Sequence, residues 1–317
     1  MKPTFSIIVF TVASGAGLGM FALFALLDVA APFDATQSRS LHAALFAYAL
    51  VVAGLCASTL HLANPRNAWR SLTRFRTSWL SREAVFALVF LVVALIEIAM
   101  LAIGTRTPLR VAVALLTLML AWAVLISTAM IYASLKPIRQ WHTHWTTVNY
   151  VVLGHWSGGV MLLAWLPEID ALRTAVAGLG VVAAITKLIY WRAIDGGVGS
   201  MTLEHAIGVD RGVRPAAASG TPSIMRARLF DVGHTHGTFL TDEFGFVVAR
   251  RHRTVLRTVF WIFAIALPLI SIVVGSRDGL AGSLAAAACV IGLLAERWLF
   301  FADARHTVRL YHGDART

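Results

Sequence analysis

Two ionisable side chains, His61 and Glu83, bound the run HLANPRNAWRSLTRFRTSWLSRE, which carries five arginines and lies between two apolar stretches. A histidine titrates near neutrality and can hydrogen-bond a carbonyl oxygen in either protonation state. A carboxylate beside it can exchange protons with water. Charge held against hydrocarbon costs free energy, so this pairing predicts a proton or polar-ligand site. Trp69, Arg70, Arg74, Arg76, Trp79, Ser81 and Arg82 lie between the two and are candidates to border such a site or to dock a partner.

Other residue types offer less. Cys56 and Cys289 both sit in apolar sequence, which leaves no disulfide framework, no iron–sulfur cysteine cluster and no zinc signature. His155, near Gly154, Gly158 and Gly159, has the surroundings of a haem b ligand, with His61 or His144 at comparable depth as a partner. No histidine pair repeats on two apolar segments, however, so haem stays an alternative. His234 and His236 have the spacing of metal ligands on a strand but lack nearby cysteines, and they read as surface histidines. Nucleophile-elbow, P-loop and zincin motifs are absent, so self-contained catalysis is not expected.

These groups must be positioned by a membrane fold. Only 14% of the 317 residues are charged, 58% are hydrophobic and the mean hydropathy is +0.74, which predicts an all-α polytopic membrane protein. A membrane helix needs about 20 apolar residues. Eight segments qualify, at about 5–28, 41–63, 83–104, 109–133, 147–166, 170–191, 255–275 and 281–302. They predict one integral-membrane domain over 1–317, with a large extramembrane loop at 192–254 between the sixth and seventh spans. The first span follows Lys2, is too long for a signal-peptide core and is expected to be retained.

The net charge of +11 comes almost entirely from arginines placed between spans, so it reads as topology rather than nucleic-acid binding. One set of loops and both termini hold twenty-one lysines and arginines, against five on the other side. This predicts both termini, the large loop, His61 and Glu83 at the cytoplasmic face. Trp69, Trp79, Trp141, Trp145 and Trp191 then form an inner aromatic belt, with Trp165 on the outer side. Glu97 lies about 21 Å along the helix axis from Glu83, where it could extend a proton route or be satisfied by neighbouring hydroxyls. Glu296 and Arg297 point about 100° apart and are expected to pair with other spans rather than each other, while Lys187 can snorkel. A transporter would show inverted repeats and broken helices; only Gly154–Gly159 suggests an interruption.

The segment from Ser58 through Glu83, together with STAMIYASLKPIRQW at 127–141, TDEFGFVVARRHRTVLR at 241–257 and ERWLFFADARH at 296–306, resembles the DMSO reductase anchor subunits. These are the eight-span membrane components of three-subunit molybdopterin oxidoreductases. The resemblance covers nearly the whole chain. It implies an anchor in the bacterial inner membrane that exchanges electrons between quinone, ubiquinone or menaquinone, and a four-cluster iron–sulfur subunit. That subunit in turn serves a molybdopterin catalytic subunit. Molybdopterin and the clusters would belong to the partners, and haem is not expected. The family's quinone-site histidine and glutamate fall on His61 and Glu83, with the arginine run as a docking loop. A cytoplasmic docking face favours quinone reduction during sulfite oxidation. The alternatives are a quinol-oxidising anchor of a DMSO or other S- or N-oxide reductase, a haem b subunit, and a purely structural anchor.

Overall fold

Within hydrocarbon no water is present to satisfy backbone amides, so an apolar segment crosses most readily as a helix. The computed structural model of the protein describes residues 3–30, 37–60, 65–104, 107–198, 202, 203, 206, 248–275 and 278–312. In sequence order the elements are α1 (Phe5–Ala30), α2 (Gln37–Leu60), a 3-10 helix (Pro65–Arg74), α3 (Trp79–Ile103), α4 (Pro108–Ala133), α5 (His144–Trp165) and α6 (Asp170–Ala193). A short π-helical turn, Ile194–Val198, closes α6; then α7 runs through Val248–Val259, a π-helical stretch Phe260–Ala266 and Leu267–Val274, followed by α8 (Gly279–Ala302) and a closing 3-10 helix, Thr307–His312. The described residues contain no strand, and the all-α membrane architecture stands. Of the expected loop 192–254, residues 199–201, 204, 205 and 207–247 lie outside the described residues, His234 and His236 among them.

Among the described residues seven helices, α1–α4 and α6–α8, are long and apolar enough to cross a membrane. The expected fifth span, α5, is not among them. Its position accounts for its composition: it packs against α1, α4, α6 and α8, and 14 of its 22 residues are buried. Protein rather than lipid surrounds it, so it can carry polar groups that its neighbours and its own carbonyls satisfy. Asn149 Nδ2 donates to Trp145 O at 2.8 Å, and Ser157 Oγ to Leu153 O at 2.8 Å.

Glycines bring α1 and α5 into backbone contact. A Cβ on Gly19 would lie 2.0 Å from Gly154 O, and one on Gly158 would lie 2.1 Å from Met20 N. The glycines around His155 therefore serve helix packing, which in a membrane depends on small residues at the contact. They also leave α5 continuous. Regular winding breaks at the end of α6, in Ile194–Val198, and within α7, where the π-helical stretch presents Ala264 O to Trp156 Nε1 at 2.7 Å.

Polar groups inside the bundle depart from the expectations above. Lys187 does not snorkel; it is 1% exposed and its Nζ donates to Glu296 Oε1 on α8. The other oxygen of Glu296 lies 2.9 Å from Arg297 Nε, so these neighbours do pair, because the long arginine folds back while its guanidinium covers the Tyr150 ring at 4.0 Å. Trp141 and Trp191 leave the expected belt: both are buried, and Trp141 Nε1 donates to Phe300 O at 3.0 Å while its ring stacks on Phe300. The hydroxyl beside Glu97 is that of Thr117. Thr117 turns its Oγ1 to Val113 O at 3.0 Å, and neither Glu97 oxygen has a partner in hydrogen-bond geometry among the described residues.

Candidate functional site

The segment between α2 and α3 is a shelf rather than an open loop. Its 3-10 helix, Pro65–Arg74, leads through a short turn to Ser78, whose backbone is extended (φ −122°, ψ 127°) and whose hydroxyl caps α3 by accepting from Ser81 N at 3.4 Å. Such a cap satisfies an amide that has no partner within the helix. Helix α3 accordingly starts at Trp79, earlier than the apolar run suggests. Glu83 lies one turn inside it, about 6 Å from the helix start.

Arg82 fastens the turn to the helix. Its guanidinium lies 4.2 Å from the Trp79 ring centroid, and it donates from Nε to Phe75 O at 3.0 Å and from Nη2 to Arg76 O at 2.9 Å. The other four arginines of the run, Arg66, Arg70, Arg74 and Arg76, are exposed. They form a cationic surface over one end of the bundle. Arg70 lies 5.7 Å from the ring of Trp69, which is itself 60% exposed.

Beneath the shelf is a cavity of about 530 Å³ between α2, the 3-10 helix and α3. That volume falls within the range of small-molecule sites. Val52 and Leu55 of α2, Leu72 of the shelf, and Leu88 and Leu91 of α3 make its apolar walls, whereas Asn67, Ser71 and Glu83 supply polar groups. Glu83 is 4% exposed, and its Oε1 is 2.5 Å from Thr128 Oγ1 of α4. Thr128 Oγ1 is also 3.0 Å from Val124 O. A hydroxyl has one hydrogen to give and can also accept. Thr128 can therefore donate to a Glu83 carboxylate, or accept from its protonated form while donating to Val124. The carboxyl group keeps a hydrogen bond on either side of a proton transfer.

The structure thus brings Glu83, Trp69 and the shelf together around one cavity. Trp79 and Arg82 act behind it, bracing the turn. Ser81 is buried away from the cavity lining, with no hydrogen-bond partner for its hydroxyl among the described residues. His61 lies outside the described residues. Thr128, Asn67 and Ser71 are members of this site that sequence reasoning misses. Thr128 belongs to the run STAMIYASL and the other two to the arginine run, so the motifs hold them without marking their roles.

The haem alternative does not fit. His155 Nε2 is 2.9 Å from Trp122 Nε1, which can only donate, and its Nδ1 is 2.8 Å from Val151 O, which can only accept. Both ring nitrogens are thus in use, and the tautomer is set with hydrogen on Nδ1. His144 is exposed at the start of α5, eleven residues or about 16 Å along the same helix, so the two cannot face one haem.

Comparison with known proteins bears on the whole sequence. A family model described as "DMSO reductase anchor subunit (DmsC)" matches residues 1–302. A sulfite dehydrogenase subunit of Allochromatium vinosum is 33% identical, with 98% of this sequence and 99% of that protein covered. A component of the anaerobic dimethyl sulfoxide reductase of Escherichia coli is 27% identical over 55% of this sequence and 66% of its own length. A second Escherichia coli protein, the anaerobic dimethyl sulfoxide reductase component YnfH, is 25% identical over 50% of this sequence and 56% of its own.

Proposed function

Because the chain belongs to the DMSO reductase anchor subunit family, we propose that it is the quinone-reactive membrane subunit of a molybdopterin oxidoreductase and that quinone binds in the cavity beneath the arginine shelf. The observation that carries this reading is a buried carboxylate, Glu83, on the wall of a mostly apolar cavity of about 530 Å³. The residues present fit a quinone. Its isoprenoid tail suits the leucine and valine walls, and its ring oxygens suit Asn67, Ser71 and Glu83.

A bound quinone supplies two-electron, two-proton chemistry. Glu83 holds a proton at its carboxyl group and passes it at the ring oxygen, while Thr128 reverses its hydrogen bond to keep the carboxyl group fixed. Asn67 and Ser71 orient the head group, and the apolar walls exclude water that would compete for those bonds. His61, at the far end of the motif, is proposed as the second hydrogen-bond partner.

The exposed arginines of the shelf are proposed to dock the iron–sulfur subunit, a four-cluster protein in this family, close enough for electrons to reach the cavity. A molybdopterin catalytic subunit makes up the rest of the complex, with one integral-membrane domain in the bacterial inner membrane and both termini cytoplasmic. Full-length similarity to a sulfite dehydrogenase subunit, against partial similarity to dimethyl sulfoxide reductase components, supports electron flow from sulfite to quinone. Filling the cavity tests the reading. Ala84→Phe in the assembled complex is expected to raise KM for quinone by about 10-fold or more, since a bulky group removes the room for a ligand that buries most of its surface. Turnover with a soluble redox dye stays unchanged. An unaltered quinone KM would reject this cavity as the binding place.

A further inference from the structure

At the opposite end of the bundle from Glu83 lies a second buried carboxyl group, Glu97, beside a buried ion pair. Asp28 of α1 and Arg110 of α4 form a two-toothed ion pair, with Nε to Oδ2 at 3.0 Å and Nη2 to Oδ1 at 2.5 Å. The pair is neutral and buried, at 5% and 6% exposure. Glu97 of α3 faces it, only 1% exposed and with neither oxygen in hydrogen-bond geometry with a described donor. From α4 the Thr117 hydroxyl also faces Glu97, but it donates to Val113 O. On α2 the ionisable groups near this end are Arg39, which pairs with Glu168, and His42, whose Nδ1 is bonded to Ser38 O. A lone carboxylate in such surroundings is far costlier than its neutral acid.

We propose that the α1–α3–α4 corner is a proton-binding site, with one exchangeable proton held on the Glu97 carboxyl group beside the Asp28–Arg110 pair. The ligand is a hydron, and neither redox chemistry nor the quinone cavity is required for it. The site lies about 21 Å along α3 from Glu83. Glu97 sits six residues, about 9 Å, from the end of α3 at Ile103, within a short distance of the bundle's far surface.

Infrared difference spectroscopy of the intact complex tests this, with the C=O stretch of a protonated carboxylic acid as readout. With the other buried acid removed by Glu83→Gln, the complex is expected to show such a band that shifts in D2O, and Glu83→Gln combined with Glu97→Gln to lose it, while Glu83→Gln combined with Glu168→Gln, in an exposed pair, leaves it in place. A second readout separates a neutral Glu97 from an ionised one. Glu97→Gln keeps the shape of the neutral acid and should move Tm by about 1 °C or less, whereas Asp28→Asn breaks the pair with Arg110 and should lower Tm by about 5 °C or more. The proposal is overturned if the acid band of Glu83→Gln survives the added Glu97→Gln, or if Glu97→Gln destabilises as much as Asp28→Asn.

Discussion

Glu83→Gln in the assembled complex is expected to lower quinone-coupled turnover by about 100-fold or more, the usual loss when a positioned proton donor is removed. Turnover with a soluble redox dye that bypasses the membrane should stay within about 2-fold. The substitution is chosen for what it preserves. Glutamine has the same length, keeps an oxygen that can accept from Thr128, and leaves the cavity wall in place. What it loses is the exchangeable proton. A loss of dye-coupled turnover as well would point to failed assembly, and Thr128→Val, which removes the hydrogen bond but not the carboxyl group, then gives a second measure. Thr128→Val should slow quinone turnover by a smaller factor, about 10-fold, because the carboxyl group is less firmly placed. Equal quinone turnover in wild type and Glu83→Gln would refute the assignment of Glu83.

The largest effect on stability is expected at Glu296, far from the cavity. Its carboxylate meets Lys187 Nζ on α6 and Arg297 Nε beside it, and all three side chains are at most 5% exposed. Glu296→Gln leaves two cations without a counter-charge in a setting where each is fully desolvated. Breaking a buried ion pair from one side costs about 3–5 kcal/mol. In a protein of this size that corresponds to a fall in Tm of roughly 10 °C. Lys187→Met placed on top of Glu296→Gln should recover a large part of the loss, because it removes one of the stranded charges. A fall of only a degree or two in the single variant would mean that the cluster is wet or otherwise compensated.

The apolar rods of this fold are legible from hydropathy, and most span limits agree with the helices to within a few residues. Hydropathy places the starts of α3 and α7 too late because polar residues open both helices: Ser78 caps α3 ahead of Ser81, Arg82 and Glu83, and α7 begins among the arginines before residue 255. Charge placement marks Glu83 correctly as a group at the edge of an apolar segment, and the helical start at Trp79 puts it a turn deeper. The partner of that carboxylate is not legible. Thr128 lies 45 residues away on α4, and hydropathy carries no information about which faces of two apolar helices meet. The same holds for Lys187 and Glu296, 109 residues apart, where a lysine near a helix end gives no sign that it turns inward. The π-helical stretch of α7, Phe260–Ala266, contains neither proline nor glycine, but Pro268 just beyond it has no N–H for Ala264 O four residues back, a local signal that hydropathy passes over. The cavity is invisible for a related reason: it needs Pro65–Arg74 to fold as a shelf over α2 and α3, whereas five arginines in a short run read as a loop.

Photolabelling of the intact complex with a quinone that carries a photoreactive group on its ring tests the central claim most directly. A second apolar cavity, of about 510 Å³ and bordered by Phe46, Met161, Trp165 and Ala286, provides the internal comparison. The account predicts adducts on the shelf between Asn67 and Leu72 and on α3 between Glu83 and Leu91, suppressed by excess unlabelled quinone. Competable adducts confined to the second cavity, with none beneath the shelf, would contradict it.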